Sequence, residues 1–192
     1  MKRQAEPDIG AKTTKSKHKE RPQADEEAHG RQLNGLTYKA PPWPQSQLKN
    51  ENMFILPTRF KSQDSISVTG VMQNDPRILT VGLITGYSSA DYENLACQLE
   101  ISYPPSNEDK ITIKTIKDGY HQVINDSNPT SGYLNDIDFK VMFLMREDRY
   151  IDIHINDLYL EQIELKHSID EIRFLSVSGD VNKVNGLDFQ FG

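Results

Sequence analysis

From about Asn52 to the C-terminus, apolar residues return at every second position, while the spacing of three and four that marks a helix face is almost absent. A pleated strand sends alternate side chains to opposite faces, so this period predicts an all-β domain. "SISVTG" sets Ile66 and Val68 against Ser and Thr, and "RILTVGLITG" offers Ile78, Thr80, Gly82 and Ile84 on one side with Leu79, Val81 and Leu83 on the other. "KITIKT" opposes Ile111 and Ile113 to Thr112 and Lys114. "IDFKVMFLM" lines up Ile137, Phe139, Val141, Phe143 and Met145, and "YIDIHIN" opposes Ile151, Ile153 and Ile155 to Asp152, His154 and Asn156. Turn residues separate these runs, as in "QNDP", "GYSSAD", "PPSNED", "KDG", "NDSNPTSG", "REDR" and "INDL". About ten or eleven short strands with regular turns predict a β-sandwich or barrel. Met145 to Tyr150 and Ile155 to Leu158 read as hairpin connections, because short polar loops join alternating runs.

One strand carries a conspicuous polar row. In "LACQLEISYPP", Leu95 to Pro105, the alternation sends Cys97, Leu99 and Ile101 to the core and Gln98, Glu100 and Ser102 to the opposite face. That face is either an ordinary solvated sheet surface or the floor of a binding site.

The chain upstream of this pattern has a different composition. Residues 1–31 hold almost no large apolar side chain beyond Met1 and Ile9, so they cannot bury enough surface to offset chain entropy, and a disordered tail is expected. Its basic cluster "KTTKSKHKER", Lys12 to Arg21, suits a nuclear-import signal or a phosphate contact with nucleic acid, against the plainer reading of a solubilising tail. Residues 32–51 form a Pro-rich connecting segment, in which Pro41, Pro42 and Pro44 surround the single Trp43 and favour an extended conformation. The folded domain is expected to occupy 52–192. No apolar run is long enough to cross a bilayer, and "MKRQAEPDIG" lacks the hydrophobic core of a signal peptide. The expected location is therefore cytoplasmic, nuclear or both, with unconventional secretion left open. A single cysteine excludes an internal disulfide and a multi-cysteine zinc site.

Few residues suggest catalysis. No G-x-S-x-G, H-E-x-x-H or glycine-rich phosphate loop occurs. Asp152, His154 and Asn156 share one strand face but lack further ligands nearby in sequence, so an exposed polar row is the better reading and no metal is expected. Asp136 and Asp138 carry too little of a glycosidase pattern to support hydrolysis. Cys97 reads as a buried core thiol, "NDS" at Asn125 as a silent glycosylation acceptor, and His121 as a surface loop residue.

The order of strands and turns resembles that of the galectin family. "FILPTRFKSQDSISVTGVM" is similar to the family's opening Leu-Pro and "I-x-V-x-G" strand, and "RILTVGLITG" to the strand that follows. "LACQLEIS" sits where the family carries its sugar ligands, and "DFKVMFLMREDRYIDIHIND" resembles a later hairpin. "SIDEIRFLSVSGDVNKVNGLDFQF" repeats the family's "I-x-x-L-x-V-x-G-D-V" ending and last apolar strand. The resemblance implies a galectin-like β-sandwich, a jelly roll of two antiparallel sheets, with a sugar site on the concave outer face of one. It also implies a carbohydrate-binding, non-enzymatic function without cofactors.

The family's site is a His-x-Asn-x-Arg strand, an Asn on the next, and then a Trp, a Glu and an Arg. The resemblance puts Gln98 at the His, Glu100 at the Asn, Ser102 at the Arg and Lys114 at the second Asn, with Tyr120 or His121 nearest the Trp. No Glu followed two residues later by Arg is found before "NDSNPTSG". Losing a guanidinium fork and gaining an anion is worth a few kcal/mol to a ligand that used those bonds, comparable to the ~4 kcal/mol of millimolar binding. Altered or lost β-galactoside binding is therefore expected. A remodelled site would use these six residues for another glycan or glycoprotein. The alternative is an intracellular protein-interaction or scaffold domain without sugar binding, its basic tail directing nuclear or partner association. Neither reading includes membrane insertion, or nucleic-acid contact outside the tail.

Overall fold

The computed structural model describes residues 37–39 as backbone, and 50–103, 110–127 and 137–192. The expected tail (1–31) and the prolines around Trp43 lie outside these residues, as does Asp136. Twelve strands are present among the described residues: β1 (Thr37–Lys39), β2 (Asn52–Ile55), β3 (Ser65–Met72), β4 (Ile78–Gly86), β5 (Ala90–Ser102), β6 (Lys110–Lys117), β7 (Tyr120–Ser127), β8 (Asp138–Glu147), β9 (Tyr150–Ile155), β10 (Leu158–Glu164), β11 (Ile172–Gly179) and β12 (Val181–Gln190). A single 3-10 turn at Ile169–Glu171 precedes β11. No helix here is long and apolar enough to cross a membrane.

The strands form two antiparallel sheets. One runs β1-β7-β6-β5-β4-β11-β2 and the other β10-β9-β8-β3-β12. β1 falls inside the stretch read from sequence as a connecting segment, where Tyr38 pairs with His121. The inward faces meet in one continuous core, which includes Leu79, Val81 and Leu83 of β4, Cys97, Leu99 and Ile101 of β5, and Val141, Phe143 and Met145 of β8. The period of two groups each of these rows on one face, and for β5 places it inside. Full burial of each large side chain contributes roughly 1.5–3 kcal/mol, so the paired faces dominate the stability of the domain.

Turn chemistry fixes the registers. β9 and β10 are joined by Asn156 and Asp157, both at positive φ, and β6 and β7 by Asp118 and Gly119, likewise positive. Two consecutive positive-φ residues are the geometry whose twist matches the flanking strands. Leu158 therefore faces Ile155, and Tyr120 faces Lys117. The hairpin expected between Met145 and Tyr150 is also present, with Glu147 opposite Tyr150.

Three local expectations are corrected. His121, read as a surface loop residue, lies on β7 and is 5% exposed, because the Asp118–Gly119 turn starts that strand at Tyr120. Ile137 does not join the inward row of β8; it precedes the strand and is 54% exposed, because pairing with β3 begins at Asp138. Asn125 to Ser127, read as the start of a turn, continue β7 and pair with Ile111 to Ile113.

Candidate functional site

The polar row of β5 lies on the outer face of the seven-stranded sheet. Gln98, Glu100 and Ser102 are half-buried, while Cys97, Leu99 and Ile101 between them are fully inside. Antiparallel register then brings β6 against the row: Gln98 faces Lys114, Glu100 faces Thr112 and Ser102 faces Lys110. The Lys114 Nζ lies 3.0 Å from Glu100 Oε2, and each side chain is 24% exposed. One pleat further out, Asp126 on β7 accepts from Thr112 Oγ1 at 3.1 Å and pairs with Lys110 Nζ at 3.0 Å. Among the described residues this polar patch thus carries two carboxylates, each matched by an ammonium. Lys110, Thr112 and Asp126 were not among the sequence candidates, because their convergence depends on the β6–β7 register.

The two aromatic candidates separate. Pleating puts neighbours on opposite faces, and His121 pairs with Ile116, whose side chain lies on the outer face with Leu95. His121 therefore shares the face of Lys114, and Tyr120, 49% exposed, does not. Burial and the nearby Lys114 ammonium hold the His121 imidazole below its ordinary pKa, which favours the neutral ring. Five of the six candidates, Gln98, Glu100, Ser102, Lys114 and His121, thus occupy one surface.

Beside the polar patch the same face is apolar. Ile84, Leu95, Ile116 and Phe174 make a second small core on the outside of the sheet, with Met53, Ala90 and Tyr92 packed over it. The β4–β5 ladder is bulged here: Ile84 faces Leu95 while Thr85 faces Asp91, leaving three residues of β5 unmatched. Tyr92 is one of them. Its hydroxyl donates to Glu51 Oε2 at 2.6 Å, and burial followed by that carboxylate pushes the phenol upward in pKa. The other carboxylate oxygen of Glu51 is buried without a protein partner. A hint of this cluster stood in "RILTVGLITG", whose two faces are both rich in apolar residues.

The polar row of β9, read from sequence as exposed, is not: Asp152 is buried and His154 and Asn156 are half-buried. Asp152 is held by Arg146 Nε at 2.6 Å and Gln162 Nε2 at 2.9 Å, His154 meets the Tyr159 ring edge-on at 5.5 Å, and Asn156 Oδ1 accepts from the Lys140 amide at 2.8 Å. These side chains knit the five-stranded sheet together. Asn125 donates to Glu161 across the sandwich edge.

Solved structures that share the two-sheet fold include two of low sequence identity. Sheep galectin-11, in complex with glycerol, matches with a TM-score of 0.57 at 14% identity, covering 74% of this chain and 99% of that one. The fold is the galectin fold. CG-16, a homodimeric agglutinin from chicken liver, matches equally well, with a TM-score of 0.57, 12% identity and coverage of 73% of this chain and 99% of that one. No protein-family model matches the chain, and no curated protein matches it. The galectin fold here thus carries a sequence far from those two relatives, and its outer face is lined by paired charges with no arginine among the six candidates.

Proposed function

We propose that the chain is a non-enzymatic, galectin-like carbohydrate-binding module whose outer-face site has diverged from β-galactoside recognition. The observation that carries this reading is the Glu100–Lys114 pair at 3.0 Å, set beside Gln98 in the middle of the face. A sugar hydroxyl that approaches must compete with an ion pair already formed, and Ser102 offers a single hydroxyl where the resemblance implies a bidentate guanidinium. Gln98, Thr112 and the pair itself still present both donors and acceptors, which suits a glycan other than a simple β-galactoside.

The competing reading is a protein-interaction domain without sugar binding, with residues 1–31 supplying nuclear or partner targeting. It draws support from the same internal neutralisation, since both described carboxylates of the patch are already satisfied. In this reading the basic Lys12 to Arg21 cluster supports a cytoplasmic or nuclear location. A glycan array probed with the full chain separates the two. Binding to a defined glycan that disappears in Glu100→Ala and Lys114→Ala, with no response to lactose at millimolar concentration, is the expected result. A blank array would overturn the lectin reading, and tight lactose binding would overturn the divergence.

A further inference from the structure

A cleft of about 410 Å³, lined by none of the outer-face candidates, lies where β4 turns into β5 beside the 3-10 turn. That volume falls in the range of about 300–1,000 Å³ typical of small-molecule sites. Its mouth carries Tyr87, which is 93% exposed and packs against almost nothing. Gly86 makes this possible: its φ is +140°, and a Cβ there would meet the Ser89 carbonyl at 2.1 Å, so the tight turn requires glycine and throws the next side chain outward.

The walls are held in place by their own hydrogen bonds. Asp91 accepts from the Glu93 amide and from Asn94 Nδ2, each at 3.0 Å, while Asn94 Oδ1 accepts from the Asp118 amide at 3.0 Å. His167 is buried, with Nε2 2.8 Å from the Ile116 carbonyl and Nδ1 3.4 Å from Glu171. Arg173 uses one Nη1 donor on the Ile172 carbonyl at 3.0 Å, which leaves further donors of its guanidinium for the cleft. Arg59 lies 3.7 Å from Asp170 on the rim.

Cationic and anionic side chains are balanced around this space, so neither a free anion nor a free cation is favoured. Fixed donors and acceptors close to an exposed aromatic ring match a neutral polyhydroxylated molecule: hydroxyls both give and receive hydrogen bonds, and the C–H face of a pyranose packs on a ring. We infer that this cleft is a second saccharide site, with Tyr87 as the stacking platform and Arg173, Asn94 and Asp91 as hydroxyl partners. The inference does not rest on the outer-face reading, because no residue is shared between the two.

Amide NMR of the full chain, titrated with glucose, galactose, N-acetylglucosamine and lactose, tests it. The expected result is a saturable shift of amides around Tyr87, Asn94 and Arg173 for at least one neutral sugar. Tyr87→Ala should weaken that response about tenfold, the equivalent of losing one aromatic contact. Glu100→Ala, altered at the other site, should keep it. Tyr87 is so exposed that its replacement leaves the fold intact, which unchanged chemical shifts elsewhere would verify. Shifts confined to the outer face, a response to acetate or phosphate but not to sugars, or no response at about 50 mM sugar would overturn the assignment.

Discussion

His121 is 5% exposed at the edge of the outer face, and its lowered pKa couples the patch to pH. The unfolded chain takes up the proton near pH 6.5, whereas the folded chain does so only at lower pH, since an imidazolium there is both desolvated and repelled by Lys114. More protons are bound by the unfolded state in that window, so this contribution to stability is complete above about pH 6.5 and is lost as the pH falls through the folded pKa. Urea midpoints at pH 7.5 and 5.5 should therefore drop more in the native protein than in Lys114→Gln, where the repulsion is gone. An equal drop in the two would remove Lys114 as a cause. At this scale, the identity of the polar row on β5 was legible from alternation alone. The choice between Tyr120 and His121 was not, because it depends on a two-residue turn, Asp118–Gly119, that fixes Lys117 opposite Tyr120.

At the scale of elements, most strands were legible because a half-buried strand writes its faces into its sequence, as Ile151, Ile153 and Ile155 do. The β4–β5 bulge was not. An unmatched three-residue step leaves no mark in the alternation, yet it is what carries Tyr92 over the outer face to Glu51. A second hidden constraint sits on β3, between β8 and β12 in the five-stranded sheet. There Gly70 pairs with Phe139 and with Val184, and an added Cβ would stand 2.5 Å from the Phe139 ring and 2.6 Å from the Lys183 carbonyl. The ring fills the space that the missing side chain leaves. Gly70→Ala should cost about 1–3 kcal/mol, as overpacking does in a dense core, and should lower the urea midpoint with little change in slope. An unchanged midpoint would mean that Phe139 can move aside freely.

For the molecule as a whole, a shared core follows from the apolar rows, and the galectin resemblance implies two antiparallel sheets, while the order in which the strands pair is legible only in the structure. What composition and spacing did not contain is the set of contacts between distant segments. Lys117 reaches the Lys166 carbonyl and His167 reaches the Ile116 carbonyl, each about fifty residues away along the chain, and together they build one wall of the end cleft. Nothing local marks such pairs, so the cleft emerges only when the sandwich closes.

The buried thiol of Cys97 has a practical consequence. It is the single cysteine of the chain, it is fully enclosed between the sheets, and desolvation pushes its pKa upward, so the native state offers thiol reagents neither access nor thiolate. Labelling must await an opening that separates β5 from the opposite sheet, which gives the protein an intrinsic clock for its own excursions from the folded state. Where opening and closing are fast relative to the reagent, the labelling rate should rise with urea in parallel with the equilibrium unfolding curve. Labelling that is already rapid without urea would reveal a looser passage between the sheets. Such a clock, run with and without a candidate sugar, would also report whether that sugar favours the closed sandwich over its open form.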